Sequence, residues 1–310
     1  MEKRMLFTSN NALAGVIEAL LLVGLVALIL SFIQLYYIPE IMEDKEATHM
    51  DQVSQQFSQL KSVVEIQSTI GVINDGNPNQ KYIAYTTMAS PLTLGSRQLP
   101  YFVSLASPGQ VTLIDKNDAG ENKIKINPPP LPLGYDFPSG IPLTSILYEA
   151  YNYYFVPQKY ILEGGGIILN QADGEVMSVN PAMNIVNNSE DIEITYNIPL
   201  FVGSLGKKID AGYDESYIRT NYTKYYEGTV NNISEIFIYT QHPDAWYHCL
   251  VNTTRGLLWE YVENNFINVI LDKSTTPNCV KIIPGSKDLY VKITVVEIGV
   301  QIGPGVIISK

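Results

Sequence analysis

The sequence predicts a mainly β protein with one long N-terminal helix, in which a transmembrane helix and stalk precede a β-sandwich-like extracellular region. Two observations predict it. An apolar run near the N-terminus exceeds the roughly 20 residues that a helix needs to cross the hydrocarbon core. After residue 78 the chain turns to short apolar or alternating runs broken by Gly, Pro, Asn and Asp, the pattern of strands and turns. The expected order is a cytoplasmic N-terminus over 1–11, a transmembrane helix over 12–38 and a stalk helix over 39–70. A β-rich extracellular region over 71–186 follows, then a second over 187–310 with short helices.

Residues 12–30 read ALAGVIEALLLVGLVALIL, interrupted only by Glu18, and Tyr36, Tyr37 and Pro39 follow. A secretory signal has a hydrophobic stretch of about 7–15 residues and a small-residue cleavage site. This run is longer and leads into an aromatic pair, so it reads as an uncleaved anchor in membrane lipid. Lys3 and Arg4 precede it, whereas Glu40, Glu43, Asp44 and Glu46 come after it. Basic flanks stay in the cytoplasm, which exports the C-terminal bulk and places the protein in the cell membrane as a single-pass chain. Glu18 is an intramembrane charge, costing about 2.5–3.5 kcal/mol at the bilayer centre. It is either partly hydrated near the cytoplasmic interface or paired with another subunit.

Residues 40–70 contain no Pro or Gly and favour helix. Met50, Val53, Phe57, Leu60 and Val64 recur at alternating spacings of three and four, an a/d seam about two heptads long. Such a stripe packs a stalk against neighbouring copies, or lies on the chain's own β-domain. Gly71 and the turn residues through Pro78 are expected to stop the helix.

Strands are expected over 82–87, 101–105, 110–114, 123–126, 141–148, 166–170, 175–179, 192–198, 233–240, 280–283, 289–296 and 301–308. Helices are expected over Pro243–Val251 and 257–272. The proline-rich residues 127–134 suggest an extended connector. Gly164, Gly165 and Gly166 suggest a bulge or close backbone approach, or an anion cradle. Asn187, Asn221, Asn232 and Asn252 each open an N-glycosylation sequon, consistent with export. Cys249 and Cys279 fit one disulfide in an oxidising compartment, closing a loop of about 30 residues; two buried free thiols are the alternative. Tyr148, Tyr151, Tyr153, Tyr154 and Tyr160 offer a contact surface, or ordinary sheet packing.

Charged residues are 16% of the chain and the net charge is −11. No basic stripe is present, which argues against nucleic acid as a partner. No nucleotide loop, nucleophile elbow, zinc-protease helix or calcium loop occurs. His242, Asp244 and His248 form the one dense group of potential metal ligands, but a helix would bring only Asp244 and His248 to one face. No catalytic residue, metal site or cofactor is assigned, and the chain reads as a non-enzyme.

Several segments resemble a family of uncharacterised archaeal single-span surface proteins whose N-terminus is similar to a type IV pilin. These are residues 14–22 (AGVIEALLL), the helix from Glu46 through Phe57 to Lys61, residues 90–95 (SPLTLG) and residues 160–171 (YILEGGGIILNQ). The resemblance covers roughly the first 185 residues and carries no assigned activity. It implies a pilin-like anchor with self-association through the N-terminal helix. Together with the sequons and the lack of a catalytic motif, the expected reading is a non-enzymatic cell-surface glycoprotein with a structural, assembly or adhesion role. The alternative is a tethered ectodomain that binds a soluble ligand, an envelope polymer or another surface protein. In a pilin-like assembly Glu18, fifth from Ala14, would pair with a neighbour's new N-terminal amine. Leu13 stands where such a leader ordinarily ends in Gly, a departure from the processing pattern.

Overall fold

A computed structural model describes residues 10–76, 87–96, 106–203 and 207–303, with the side chains of 10–13 excepted. The chain is mainly β, with one long N-terminal helix and a β-sandwich-like region. The predicted strand at 101–105, all but the last residue of 82–87 and the end of 301–308 lie outside the described residues.

The helix is continuous from α1 (Asn10–Phe32) through one π-helical turn at Ile33–Tyr37 into α2 (Ile38–Gly76). Pro39 does not break it. A helical proline clashes with the carbonyl four residues back, and the wide turn lies immediately before it, with the Ile38 N–H reaching back to the Ile33 carbonyl. Nor does Gly71 end the helix. A Cβ there would lie 2.1 Å from the Tyr222 ring, so glycine lets the ring approach the helix backbone, and the helix runs on to Gly76.

Among the described residues three sheets close two cores, and the first two sheets receive α2. In the first, β1 (Met88–Thr93) pairs with β13 (Glu215–Val230), and β13 with β17 (Asp288–Ile302). Next comes β11 (Asp191–Gly203), parallel to β17, then β10 (Met183–Asn187); β4 (Leu131–Pro132) joins β13 at the side. The second is antiparallel and runs β12 (Ile209–Gly212), β2 (Gly109–Ile114), β6 (Ser145–Ala150), β7 (Gln158–Glu163), β8 (Gly166–Gln171), β9 (Gly174–Val179). The third runs β15 (Ile267–Asp272), β16 (Cys279–Pro284), β14 (Glu235–Tyr239), β3 (Lys123–Asn127), β5 (Ile141–Pro142).

The central strands serve both cores. Along β17, Leu289, Val291, Ile293 and Val295 face the core under α4 (Pro243–Val251). Val296, Ile298, Val300 and Ile302 face the core under α2. Apolar residues alternate along β17 up to Val295 and resume from Val296 in the opposite phase, so the strand gives one face to each core in turn. The expected division at 186/187 is therefore not a boundary. Strands from either side of it share every sheet, with β1 on β13, β2 on β12 and β3 on β14.

Other expectations are corrected locally. Only α5 (Trp259–Glu263) of the helix expected over 257–272 is helical. Asn265 then takes a φ of 57°, which asparagine tolerates better than most residues, and the chain turns into β15. The proline-rich segment contributes β4 and a one-turn helix, α3 (Leu133–Asp136), instead of an extended connector. Gly164 and Gly165, at φ 56° and 80°, form the two-residue turn between β7 and β8, a geometry that requires two positive φ values.

The expected disulfide is absent. Cys249 and Cys279 are separate buried thiols, because α4 turns the Cys249 thiol toward the Asn180 side-chain oxygen at 3.5 Å, while Cys279 opens β16 opposite Tyr239 and Asp272. Burial pushes the Cys249 pKa up to about 12, and a thiol in that state is a poor nucleophile. Thiol titration of the purified protein is expected to find two free thiols after denaturation without reductant and almost none before it. A denatured chain lacking both would restore the bridge.

Candidate functional site

The helix has two unlike halves. From residue 14 to 32 every side chain is exposed, Leu21 at 70% and Leu28 at 65%. Full burial of a Leu, Val or Ile side chain is worth about 1.5–3 kcal/mol, so this surface calls for an apolar surrounding that the described residues do not supply. Among the described residues, this is the one helix long and apolar enough to cross a membrane. Glu18 is exposed within this half.

From Ile38 onward the protein covers one face of the helix. Met50, Val53, Phe57, Leu60 and Val64 are all buried among Leu92, Val111, Tyr148, Phe201, Ile298 and their neighbours. The stripe thus lies on the chain's own β-domain, the second of the two arrangements the spacing allowed. It also extends beyond those five. Ile38 and Met42 continue it toward the apolar half, and Glu46, His49, Gln67 and Asn74 add buried polar positions. Hydrophobic periodicity overlooked these four because they are polar.

Glu46 is fully buried, yet its carboxylate is well matched. The backbone N–H of Tyr153 donates to Oε1 at 3.0 Å, and those of Tyr154 and Phe155 donate to Oε2 at 2.8 and 2.6 Å. The Ser107 hydroxyl donates to Oε1 as well. Donors to a charged acceptor form the stronger class of hydrogen bond, and here they tie two loops to the first covered turns of the helix. One turn on, His49 Nε2 bonds the Thr93 carbonyl at 3.0 Å. Burial holds the His49 pKa down, outweighing the upward pull of that bond and of Glu46. Gln56 then bridges β1 through the Thr93 N–H and hydroxyl.

A second polar cluster lies under α4. Glu163 accepts from the Thr240 hydroxyl at 2.7 Å and Trp246 Nε1 at 2.9 Å. His242 Nδ1 lies 2.8 Å from Glu175, which also accepts from the Asp244 and Ala245 N–H groups. The three residues grouped by sequence do not converge. Asp244 pairs with Lys273, and His248 stacks edge-on against Tyr247. Among the described residues no group of three or more His, Cys, Asp or Glu is placed to hold a metal ion. Burial drives the Glu163 pKa up, further than His242, Trp246 and Thr240 pull it back. For His242 burial lowers the pKa, but Glu175 and Glu163 outweigh it and raise it.

A cleft of about 420 Å³ separates the far half of α2 from the sheets, lined by Val64, Ser68, Val72, Leu162, Gly165 and Ile198 among others. The sequon asparagines differ in setting. Asn187, Asn232 and Asn252 are exposed, whereas Asn221 is half-buried on β13 with its side-chain oxygen against Gly299. Of the five tyrosines singled out by sequence, Tyr148 and Tyr160 are core, and Tyr151, Tyr153 and Tyr154 are exposed.

The chain thus belongs to a structural class, a long half-bare helix docked on a mainly β-domain. No family model, curated protein or solved structure matches it.

Two outcomes are expected from these networks. Glu46→Ala strands the Ser107 and 153–155 donors and is expected to cost about 3 kcal/mol in denaturant unfolding, as breaking a buried charged network does; a loss below about 0.5 kcal/mol would remove the clasp from any structural role. The His242 contribution is fully present below its unfolded pKa of 6.5 and is lost as pH rises through its raised native value. Glu163, also raised, has the same sign, while Glu175, held low by His242 once burial is overcome, acts oppositely and only in acid. His49, held low, acts oppositely, but its gain is nearly complete just above its unfolded pKa of 6.5. Wild-type Tm is therefore expected to fall at pH values above that, and His242→Gln to flatten the slope. Parallel profiles for the two proteins would clear the cluster of any such role.

Proposed function

We propose that the chain is a non-enzymatic, membrane-anchored cell-surface protein of pilin-like build with a structural, assembly or adhesion role. One observation carries this reading: the bare apolar half of the helix projects from the domain that clamps the other half. A single rigid helix of this kind would let an apolar segment reside in lipid, or among the helices of sister subunits, while the β-domain stays outside. Glu18 suits the second environment, where a carboxylate in an apolar setting needs a partner. The acidic flank after the span supports export of the β-domain, and the exposed sequons at Asn187, Asn232 and Asn252 suit that side. Net charge −11 favours solubility of an exported domain and disfavours nucleic acid.

A second reading, a tethered ectodomain that binds a soluble ligand, is favoured by the cleft behind α2. Its volume falls within the roughly 300–1,000 Å³ of small-molecule sites, and its apolar walls also carry the Lys61–Glu65 ion pair, Ser68, Thr69, Asn197 and Thr294.

N-terminal sequencing of the protein from native membranes tests the assembly reading. A mature chain starting at Leu13 or Ala14 is the result expected of pilin-type processing. A start at Met1 or Glu2 leaves a permanent anchor and overturns filament assembly. Release of the full-length protein by alkaline carbonate would overturn the anchor itself.

A further inference from the structure

The helix leaves the β-domain at a defined end. There β2 begins at Gly109, β6 ends at Ala150 and β12 ends at Gly212, and the register places these three residues side by side. Glu46 joins the same end through Ser107 and the 153–155 backbone. Since α1 continues outward from here, this rim faces whatever surrounds the apolar half.

The rim lies close to the start of that apolar half. Ile38 is only 8% exposed and Met42 is fully buried, so protein covers the helix from the first residue after Tyr37, with no spacer. The loop bonded to Glu46 sits eight residues beyond Ile38, about 12 Å along the axis at 1.5 Å per residue. The headgroup layer on each side of a bilayer is itself about 5–8 Å deep. The loop backbone thus stands a few ångströms outside that layer, close enough for long side chains on it to enter.

The composition of the rim suits that position. Tyr151, Tyr153, Tyr154 and Val156, on the β6–β7 loop, and Tyr213, on the β12–β13 turn, are all exposed. Residues 151–158 carry no formal charge. The loop is also rigid: the Asn152 amide donates to the Val156 carbonyl at 3.0 Å, and three of its N–H groups are held by Glu46. Tyrosine combines an apolar ring with a polar tip, which is why it collects at membrane interfaces.

We propose that this rim is a lipid-contacting surface: the tyrosines rest among the headgroups of the same membrane that holds α1 and set the domain's height and tilt on it. The proposal rests on the anchor reading. It adds a second attachment in which the domain itself meets the bilayer.

The test uses full-length protein in phosphatidylcholine vesicles, with Tyr153→Trp and Tyr213→Trp as rim probes. Tyr135→Trp serves as the distal control, since Tyr135 is 79% exposed on α3. That helix follows β4, which pairs with β13 at Gly228, and β13 starts at the rim and runs about 40 Å to that point at roughly 3.3 Å per residue. Trp246 and Trp259 contribute the same background to all three. Brominated phosphatidylcholine is expected to quench both rim probes and spare the control, while aqueous acrylamide does the reverse. If both rim probes behave like the control in protein that resists carbonate extraction, the rim stands in water and the proposal fails with the anchor intact. Protection from acrylamide without lipid quenching would mean a second copy covers the rim, which also overturns it. Extraction by carbonate removes the anchor and the proposal together.

Discussion

A carboxylate enclosed by protein is costly unless donors surround it, and Glu46 is surrounded by Ser107 and three consecutive backbone N–H groups. Those donors come from two loops far apart in sequence. Their convergence on one helical position couples the helix to the β-domain at the level where the apolar half begins. The stripe from Met50 to Val64 supplies the area of that union; Glu46, His49 and Gln56 supply its register. Apolar attraction is non-directional and fixes register only through shape. A buried carboxylate facing a fixed set of N–H groups fixes it by direction.

From that union the rest of the molecule follows in layers. The core under α2 is closed by strands that also close the core under α4, because β7 and β8 show alternate residues to each and β11 and β17 pass from one to the other along their length. Glu163, at the end of β7, is held by Thr240 and Trp246 on the far side. The same central strands thus join the helix to the far core.

Much of this was legible in the residues. The apolar run, the Met50–Val64 stripe, the Pro243–Val251 helix and the strands with clear apolar alternation all rest on local composition. Other elements were not. The longest strand, β13, reads ESYIRTNYTKYYEGTV, tyrosine-rich and polar on one side, and its length comes from pairing with β17 and β1. For β7 the Gly164-Gly165 turn was a usable signal, two glycines between apolar runs. The polar extensions of the helix stripe, and the cluster of Glu163, Glu175 and His242, involve residues up to 153 positions apart that no spacing connects.

By itself the sequence determined the class of each segment: a helix apolar enough for lipid, a helix with one packing face, and a β-rich remainder. These depend on periodicity and side-chain type, which are local properties. Only the tertiary structure decided that the packing face belongs to the chain's own domain, that the two cysteines remain separate thiols and that residues 71–186 and 187–310 interleave. Each of those depends on which distant groups meet, and burial makes that choice collectively, by pairing most enclosed polar groups and filling both cores at once.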